Sequence, residues 1–497
     1  MAALPLVRAG WRVLMVERGG WVERGPHNWE REGAFIHTPH YAPDSAFQVV
    51  PASRVSTQRL CTCVGGASVF FGGAAFRFRE EDFVPHEEIV DGTGAAWPFD
   101  YRELEPYYAQ AESLMRVAGL AGDDPTEPPR SGPFPATLPD LSEPARRIAE
   151  AARSLGLRPF RIPLAINHEA AYGATCVLCT TCDAYACAVG AKGDLATRVI
   201  PALLRDGMHL LPETVVVRLN AERDRIVSVE CIDKRSGRTL TLRARSYVLA
   251  AGALATPHLL MASDLTRVNS AGDVVGRYLM RHCNAMTYGI FMRPPNAANV
   301  HHKQIAIHDY YLGASERGAP PGKLGNLQQI MAPAPGLLQH VLPEGLARRL
   351  GPLTQYLTGL LVVAEDQPRR HNRVYLAPGD VDPFGLPRLV VEHRYSPRDL
   401  AARRFLVGQA RRILRRAGAR ATFAWRVSTF SHAIGTVRMG EDPRTAPLDP
   451  SCRYRGLANL LVTDGSVFPT AAGVNPSLTI AANALRAGRL MADAGTG

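Results

Sequence analysis

The densest chemistry in the chain is a run of thiols. Cys176, Cys179, Cys182 and Cys187 are spaced C-x2-C-x2-C-x4-C. Thiolates this close bind zinc or an iron–sulfur cluster, and reduced thiols bracing a loop give the same pattern. The last spacing departs from the bacterial ferredoxin run and no proline follows Cys187, so bracing leads and the four stand as cluster candidates. Cys61 and Cys63 carry the same ambiguity. The total of nine cysteines is odd, which suits reduced thiols better than a disulfide framework. An acid is the second feature. Glu17 closes the apolar segment WRVLMVE, and a carboxylate at that place in a Rossmann-type βαβ unit bonds the adenosine ribose. Asn475-Pro476 reads locally as a helix N-cap followed by proline at the first helical position.

These side chains need elements to hold them. Residues 2–9 read as the second half of an amphipathic helix closed by Gly10, and Trp11 to Glu17 as a short strand, so the chain enters a dinucleotide-binding unit midway. The first strand and its G-x-G-x-x-G turn normally precede that helix. Neither is present, so the expectation is a start further upstream, or a polypeptide with unpaired strand edges and no amide cradle for a pyrophosphate. Residues 54–83, containing VGGASVFFGGAAFRFREEDF, are too glycine-rich for a helix interior and suit backbone lying against a ligand.

Residues 97–119 predict a turn and a helix, 120–143 an exposed excursion rich in Pro, Gly and Asp, and 144–156 and 194–205 two further helices. The segments 214–219, 225–233 and 239–244 predict a meander with Ser236-Gly237 as a turn. SYVLAAGALATPHLLMAS reads as strand, small-residue turn and helix, where a chain returns to a nucleotide-binding sheet. Strand-like segments and one basic helix fill 266–425; the strand NLLVTDG and a helix from Pro476 to Asp493 follow.

At 497 residues the chain exceeds what one core needs, and 46% hydrophobic with 21% charged residues is ordinary globular composition. No run approaches a membrane span and no secretory signal is present, so the cytoplasm is the expected location. The net charge of +11 is spread along the chain, and only Lys192, Lys234, Lys303 and Lys323 of the 57 basic residues are lysines. That argues against a nucleic-acid partner.

Four blocks together resemble the glucose-methanol-choline oxidoreductase family. CVGGASVFFGGAAFR is similar to its first signature, YVLAAGALATPHLLMAS to its second, and WPFDYRELEPYY to a connecting motif. HAIGTVRMGEDPRTAPLD with NLLVTDGSVFPTAAGVNPSLTIAANALR resembles its C-terminal signature. With WRVLMVERG these blocks span nearly the whole chain. The resemblance implies an α/β protein: a Rossmann-type FAD-binding domain, here short of its N-terminal strand, with an antiparallel-sheet α+β substrate domain. Residues 1–265 would form the first part of the FAD domain with a cysteine-rich insertion at 171–192, 266–425 the substrate domain, and 426–497 the rest of the FAD domain.

The implied reaction is oxidation of an alcohol by hydride transfer to flavin N5. His432 stands at the family's catalytic histidine and is implied as the general base, a task suited to imidazole near neutral pH. Asn475, where the family has His or Asn, is implied to orient the hydroxyl, beside its local reading as a cap. A helix starting at Pro476 would aim its N-terminal dipole at the flavin. Gly65, Gly66, Ser68 and Gly72 match the flavin-contacting signature; Asp464, Gly465 and Pro476 fall on the flavin side, Val216 beside the adenine, Ala251 and Gly252 at a strand-to-helix turn, and Glu17 at the ribose. Phe70 and Phe71 stand where some relatives attach FAD through histidine, so FAD is expected to be noncovalent.

TCDAYACAVGAKGDLATRVIPALL and HHKQ at 301–304 resemble a bacterial branch with pyranose oxidases and glycoside 3-oxidases. This implies a sugar or glycoside ring hydroxyl oxidised to a ketone, with oxygen or a quinone as acceptor. His301, His302, Lys303 and Gln304 read either as a hydroxyl-binding set or as a solvated loop. Two rivals stand beside this reading. One is a dehydrogenase passing electrons through a cluster at the four cysteines; the other is an inactive remnant or scaffold, for which the missing glycine loop speaks.

Overall fold

The computed structural model describes residues 1–30, 34, 37–50, 56–333, 338 and 342–495. Arg54 and Val55 of the glycine-rich stretch, a few residues of the 266–425 segment and the last two residues lie outside that set.

The chain opens with α1 (Ala3–Arg8), which buries Leu4 and Leu6, and β1 (Leu14–Val16). β2 (Ala46–Val50), β3 (Ser56–Arg59), α2 (Tyr101–Met115), α3 (Glu143–Arg153) and β4 (Pro159–Arg161) follow. Next come β5 (His209–Leu211), β6 (Thr214–Glu222), β7 (Arg225–Asp233), β8 (Thr239–Leu242), β9 (Tyr247–Leu249) and α4 (Gly252–Ala262). β10 (Ala285–Ile290), β11 (Ile305–Ile307), β12 (Gly325–Ile330), β13 (Leu357–Ala364), β14 (Arg373–Val381) and β15 (Pro387–Glu392) precede α5 (Pro397–Arg416). The chain closes with β16 (Ala421–Arg426), β17 (Leu460–Val462) and α6 (Ser477–Ala494).

Two parallel pairs, β1 with β5 and β9 with β17, build the Rossmann-like side. Each is a separate two-stranded sheet, and among the described residues no strand joins β1 to β9. The pairs nevertheless stand side by side, with the Arg245 guanidinium 5.9 Å from the Trp11 ring centroid and both contributing to one large core. The alternation read in β6, β7 and β8 produces the expected antiparallel meander, order β8-β7-β6.

Opposite lies a six-stranded antiparallel sheet, order β16-β10-β13-β12-β11-β4. It takes β4 from well outside 266–425, so the substrate-side sheet is assembled from two stretches of chain. α5 covers one face. Ala402, Leu406, Ala410 and Ile413, spaced four, four and three apart, are buried against the sheet while Arg404 and Arg412 between them are exposed. Ser396 caps this helix, accepting from the Asp399 N–H at 3.0 Å while the Asp399 carboxylate accepts from the Ser396 N–H at 2.8 Å. A four-stranded sheet, β14-β15-β2-β3, flanks both units.

Three local expectations are corrected. The helix expected over 194–205 is two, Leu195–Arg198 and Ile200–Arg205, because Pro201 has no N–H with which to continue the ladder. The 120–143 excursion is tied down: Asp124 pairs with Arg79, and Arg130 reaches the buried Glu112 at 2.6 Å. The last helix begins at Ser477, with Pro476 as its N-cap residue and no side chain capping it.

Candidate active site

His432 sits in the turn after β16, and Asn475 closes the loop that runs from β17 into α6. Their side chains meet, with Asn475 Nδ2 at 3.4 Å from His432 Nε2. The cap reading of Asn475 is thereby set aside, because its carboxamide turns away from α6. Its Oδ1 instead accepts from Gln328 Nε2 at 2.7 Å. Behind His432, its Nδ1 lies 2.9 Å from Nδ1 of His282. His432 is surrounded by protein yet keeps part of its surface accessible, the combination expected of a side chain lining an internal space. Burial, then the neighbouring charges of His282 and Lys303, hold its imidazole well below the usual range, so it is neutral at pH 7.

The other expected residues fall into two groups. At the end of β1, the Glu17 carboxylate accepts from the Gly19 N–H at 2.8 Å, and burial pushes it up to about 7. Gly65 and Gly66 lie close by, since Val64 donates to the Gly20 carbonyl; both take left-handed backbone, and Ser68 folds back onto the Gly65 carbonyl at 2.7 Å. Val216 lies in β6, whose first residue donates to the Glu17 carbonyl. The second group gathers at the end of β9. Asp464 accepts from the Gly252 N–H at 3.0 Å and from Ser466 N–H at 2.8 Å, locking the turn at Ala251 to the loop that carries Gly465. Gly435 donates to the Gly465 carbonyl, which ties that loop to the segment of His432.

Gly72 lies against an ion pair, Lys303 with Asp183 at 2.6 Å, and any side chain there would strike both. His301, His302, Lys303 and Gln304 are all buried, so the solvated-loop reading of HHKQ is wrong. Lys303 belongs to the electrostatic surroundings of His432.

Models of one family, described as GMC oxidoreductase, match residues 33–284 and 368–484. The chain belongs to the GMC oxidoreductase family. GMC oxidoreductases are FAD enzymes acting on CH–OH groups. The chain is 33% identical to 6'''-hydroxyparomomycin C oxidase of Streptomyces lividus, over 99% of this chain and 89% of that protein. It is 32% identical to paromamine 6'-oxidase of Streptomyces fradiae, over 86% and 78%. Pyridoxine 4-oxidase from Mesorbium loti shares the fold, with a TM-score of 0.66, 20% identity and coverage of 98% and 97%. The chain is also 25% identical to C-glycoside 3-oxidase of Microbacterium trichothecenolyticum, over 96% and 83%, in line with the likeness to glycoside 3-oxidases expected from the cysteine-rich segment.

The residues of this GMC oxidoreductase fit FAD on the ribose and ring sides. Ala250 and Ala251 are exposed at the end of β9, and beside Gly66 and Gly252, at φ +59° and +88°, the position a side chain would take is open. Ligands of open α/β sheets bind at such strand ends.

The four cysteines line one cavity with Trp29, Lys192 and His301. Their loop is braced by the Lys192 ammonium, which donates to the carbonyls of Phe71, Cys182 and Tyr185. Among the described residues no three His, Cys, Asp or Glu side chains are placed to share a metal ion, and none of the nine cysteines forms a disulfide.

His282 and Gln328 escaped the sequence reading. Gln328 left a faint signal, for β12 places Asn326, Gln328 and Gln329 in a fully buried strand, and buried amides call for partners.

Proposed function

We propose that this GMC oxidoreductase oxidises a hydroxyl of a sugar or aminoglycoside to the carbonyl, with His432 as general base and Asn475 holding the hydroxyl. The meeting of His432 Nε2 and Asn475 Nδ2 at 3.4 Å, on a side chain with accessible surface inside the protein, carries this reading. Bound FAD supplies the hydride acceptor. The chain supplies position and proton handling. A hydroxyl placed between the two side chains takes a hydrogen bond from the Asn475 amide and gives its proton to His432 Nε2. The carbinol carbon then holds the electron pair that leaves with its hydrogen. Gln328 keeps the amide turned toward His432 by occupying its oxygen, while its own Oε1, like Asn326 Oδ1, has no partner among the described residues and stands ready for a substrate hydroxyl.

The two Streptomyces relatives are oxidases of paromamine and of a hydroxyparomomycin, which supports an amino-sugar substrate and oxygen as acceptor. FAD is held noncovalently. Phe70 is buried against Tyr41, and no histidine stands there to form a link, so acid precipitation is expected to release all flavin to the supernatant. No helix of the described residues is long and apolar enough to cross a membrane, and nine cysteines without a disulfide favour the reducing cytoplasm. The experiment is an anaerobic screen of simple alcohols, choline, sugars and aminoglycosides for bleaching of the flavin, then readmission of air. Bleaching by an amino sugar followed by peroxide is expected. Purified protein without flavin, or flavin bleached only by simple alcohols, contradicts the proposal.

A further inference from the structure

We infer that His282 is a positioning residue that holds His432 in the tautomer whose Nε2 is bare, by accepting a hydrogen bond from His432 on its own Nδ1. The inference rests on His432 being the base. Nε2 of His282 lies 3.2 and 3.0 Å from the carbonyl oxygens of Ala471 and Ala472. Carbonyls only accept, so this nitrogen carries a hydrogen, and the neutral ring then has its lone pair on Nδ1. That lone pair faces His432 Nδ1 at 2.9 Å, so the hydrogen between the two rings belongs to His432. His432 Nε2 is left as the acceptor. The Asn475 side agrees, because its oxygen is taken by Gln328 and it presents N–H to the same nitrogen.

The backbone holds His282 firmly. Its N–H and that of Arg281 donate to the two oxygens of Asp366, each at 2.9 Å, and its carbonyl accepts from Tyr395 Oη at 2.7 Å. His282 and Ala472 both take left-handed backbone, at φ +60° and +56°, which side chains other than glycine adopt only where surroundings enforce it. Because Nε2–H ends on carbonyls, His282 has nowhere to pass a proton. It stabilises the imidazolium formed on His432 as a neutral acceptor, without relaying. Protonated His282 would oppose two N–H groups at 2.9 Å and break the arrangement. The titratable and charged groups facing His432 are His282 and Lys303, the latter paired with Asp183; those facing His282 are His432 and Asp366, with His393 at 3.5 Å from Asp366 and Arg281 beside it.

The test uses flavin-loaded protein and three variants. His282→Asn keeps a neutral acceptor and suits left-handed backbone, His282→Asp keeps an acceptor with charge, and His282→Ala removes it. Anaerobic flavin reduction by an amino sugar is expected to fall about 100-fold in His282→Ala and to recover to within about 10-fold in His282→Asn, as befits loss and restoration of a base's tautomer. In His282→Asp the midpoint of the acid limb is expected to rise by about one pH unit or more, because a carboxylate favours imidazolium. Equal losses in all three with an unmoved midpoint would reduce His282 to a structural role and overturn the inference. Should His282→Ala fail to fold, an unmoved midpoint between His282→Asn and His282→Asp overturns it alone. Nitrogen-15 NMR of histidine-labelled protein, with His432→Gln assigning the signals, reads the tautomer without turnover. A neutral His432 protonated on Nδ1 supports the inference even if no alcohol reduces the flavin, whereas one protonated on Nε2 refutes it.

Discussion

One hydrogen bond decides which face of Asn475 a substrate meets. Replacing Gln328 with leucine removes the donor at 2.7 Å and frees the carboxamide to rotate. The expected result is a loss of about 3- to 10-fold in kcat/KM, the worth of one neutral hydrogen bond, with unchanged flavin content. Unaltered kcat/KM for the leucine variant would mean that Asn475 is oriented by something else. Legibility at this scale was uneven. His432 and Asn475 were named from the blocks that surround them, and Glu17 from the strand it ends. His282 was not, because its contact spans 150 residues of sequence and a single bond between distant loops leaves no periodic trace. Local reasoning went astray at Asn475-Pro476, where dipeptide chemistry favours a cap and the tertiary partner wins.

Elements meet around one buried ammonium. Lys323, just before β12, lies 2.5 Å from Asp82 and 3.1 Å from Glu365, and neither carboxylate side chain is exposed. Asp82 also accepts from Tyr311 Oη at 2.7 Å, and Tyr311 in turn accepts from the Gly473 N–H at 2.9 Å, in the loop that ends at Asn475. Lys323→Met leaves two carboxylates buried without their cation and is expected to cost about 3–5 kcal/mol in urea unfolding. Adding Asp82→Asn should return part of that loss; a single variant as stable as the parent would show that solvent reaches the cluster. The elements read correctly from sequence are those with a period, such as α5 and the β6–β8 meander. β4 and the β2–β15 parallel pair went unforeseen, since three to six residues without alternation do not reveal which distant strand they will join.

Protonation acts on the whole molecule. Burial lowers His301 to about 3 and His168 to about 4, and pulls His302, His308 and His432 down as well. Unfolded histidines bind protons near 6.5, so between about 6.5 and 3 the unfolded chain takes up more of them and stability falls with pH. Glu17 and Asp399, each pushed up to about 7 by burial, and Glu127, also raised by burial, work in the opposite sense, three groups against nine lowered histidines once His40, His258, His371 and His393 are added. A thermal midpoint that declines steadily below pH 6.5 is expected, and a flat profile to pH 4 would contradict it. The architecture was anticipated as a Rossmann-like unit with an antiparallel sheet beside it. The measurement that bears most directly on the account is anaerobic flavin reduction by an amino sugar in His432→Ala. The variant should hold as much flavin as the parent and reduce it at least about 100-fold more slowly, as loss of a general base requires. Reduction at the parental rate would remove His432 from the chemistry and the account with it.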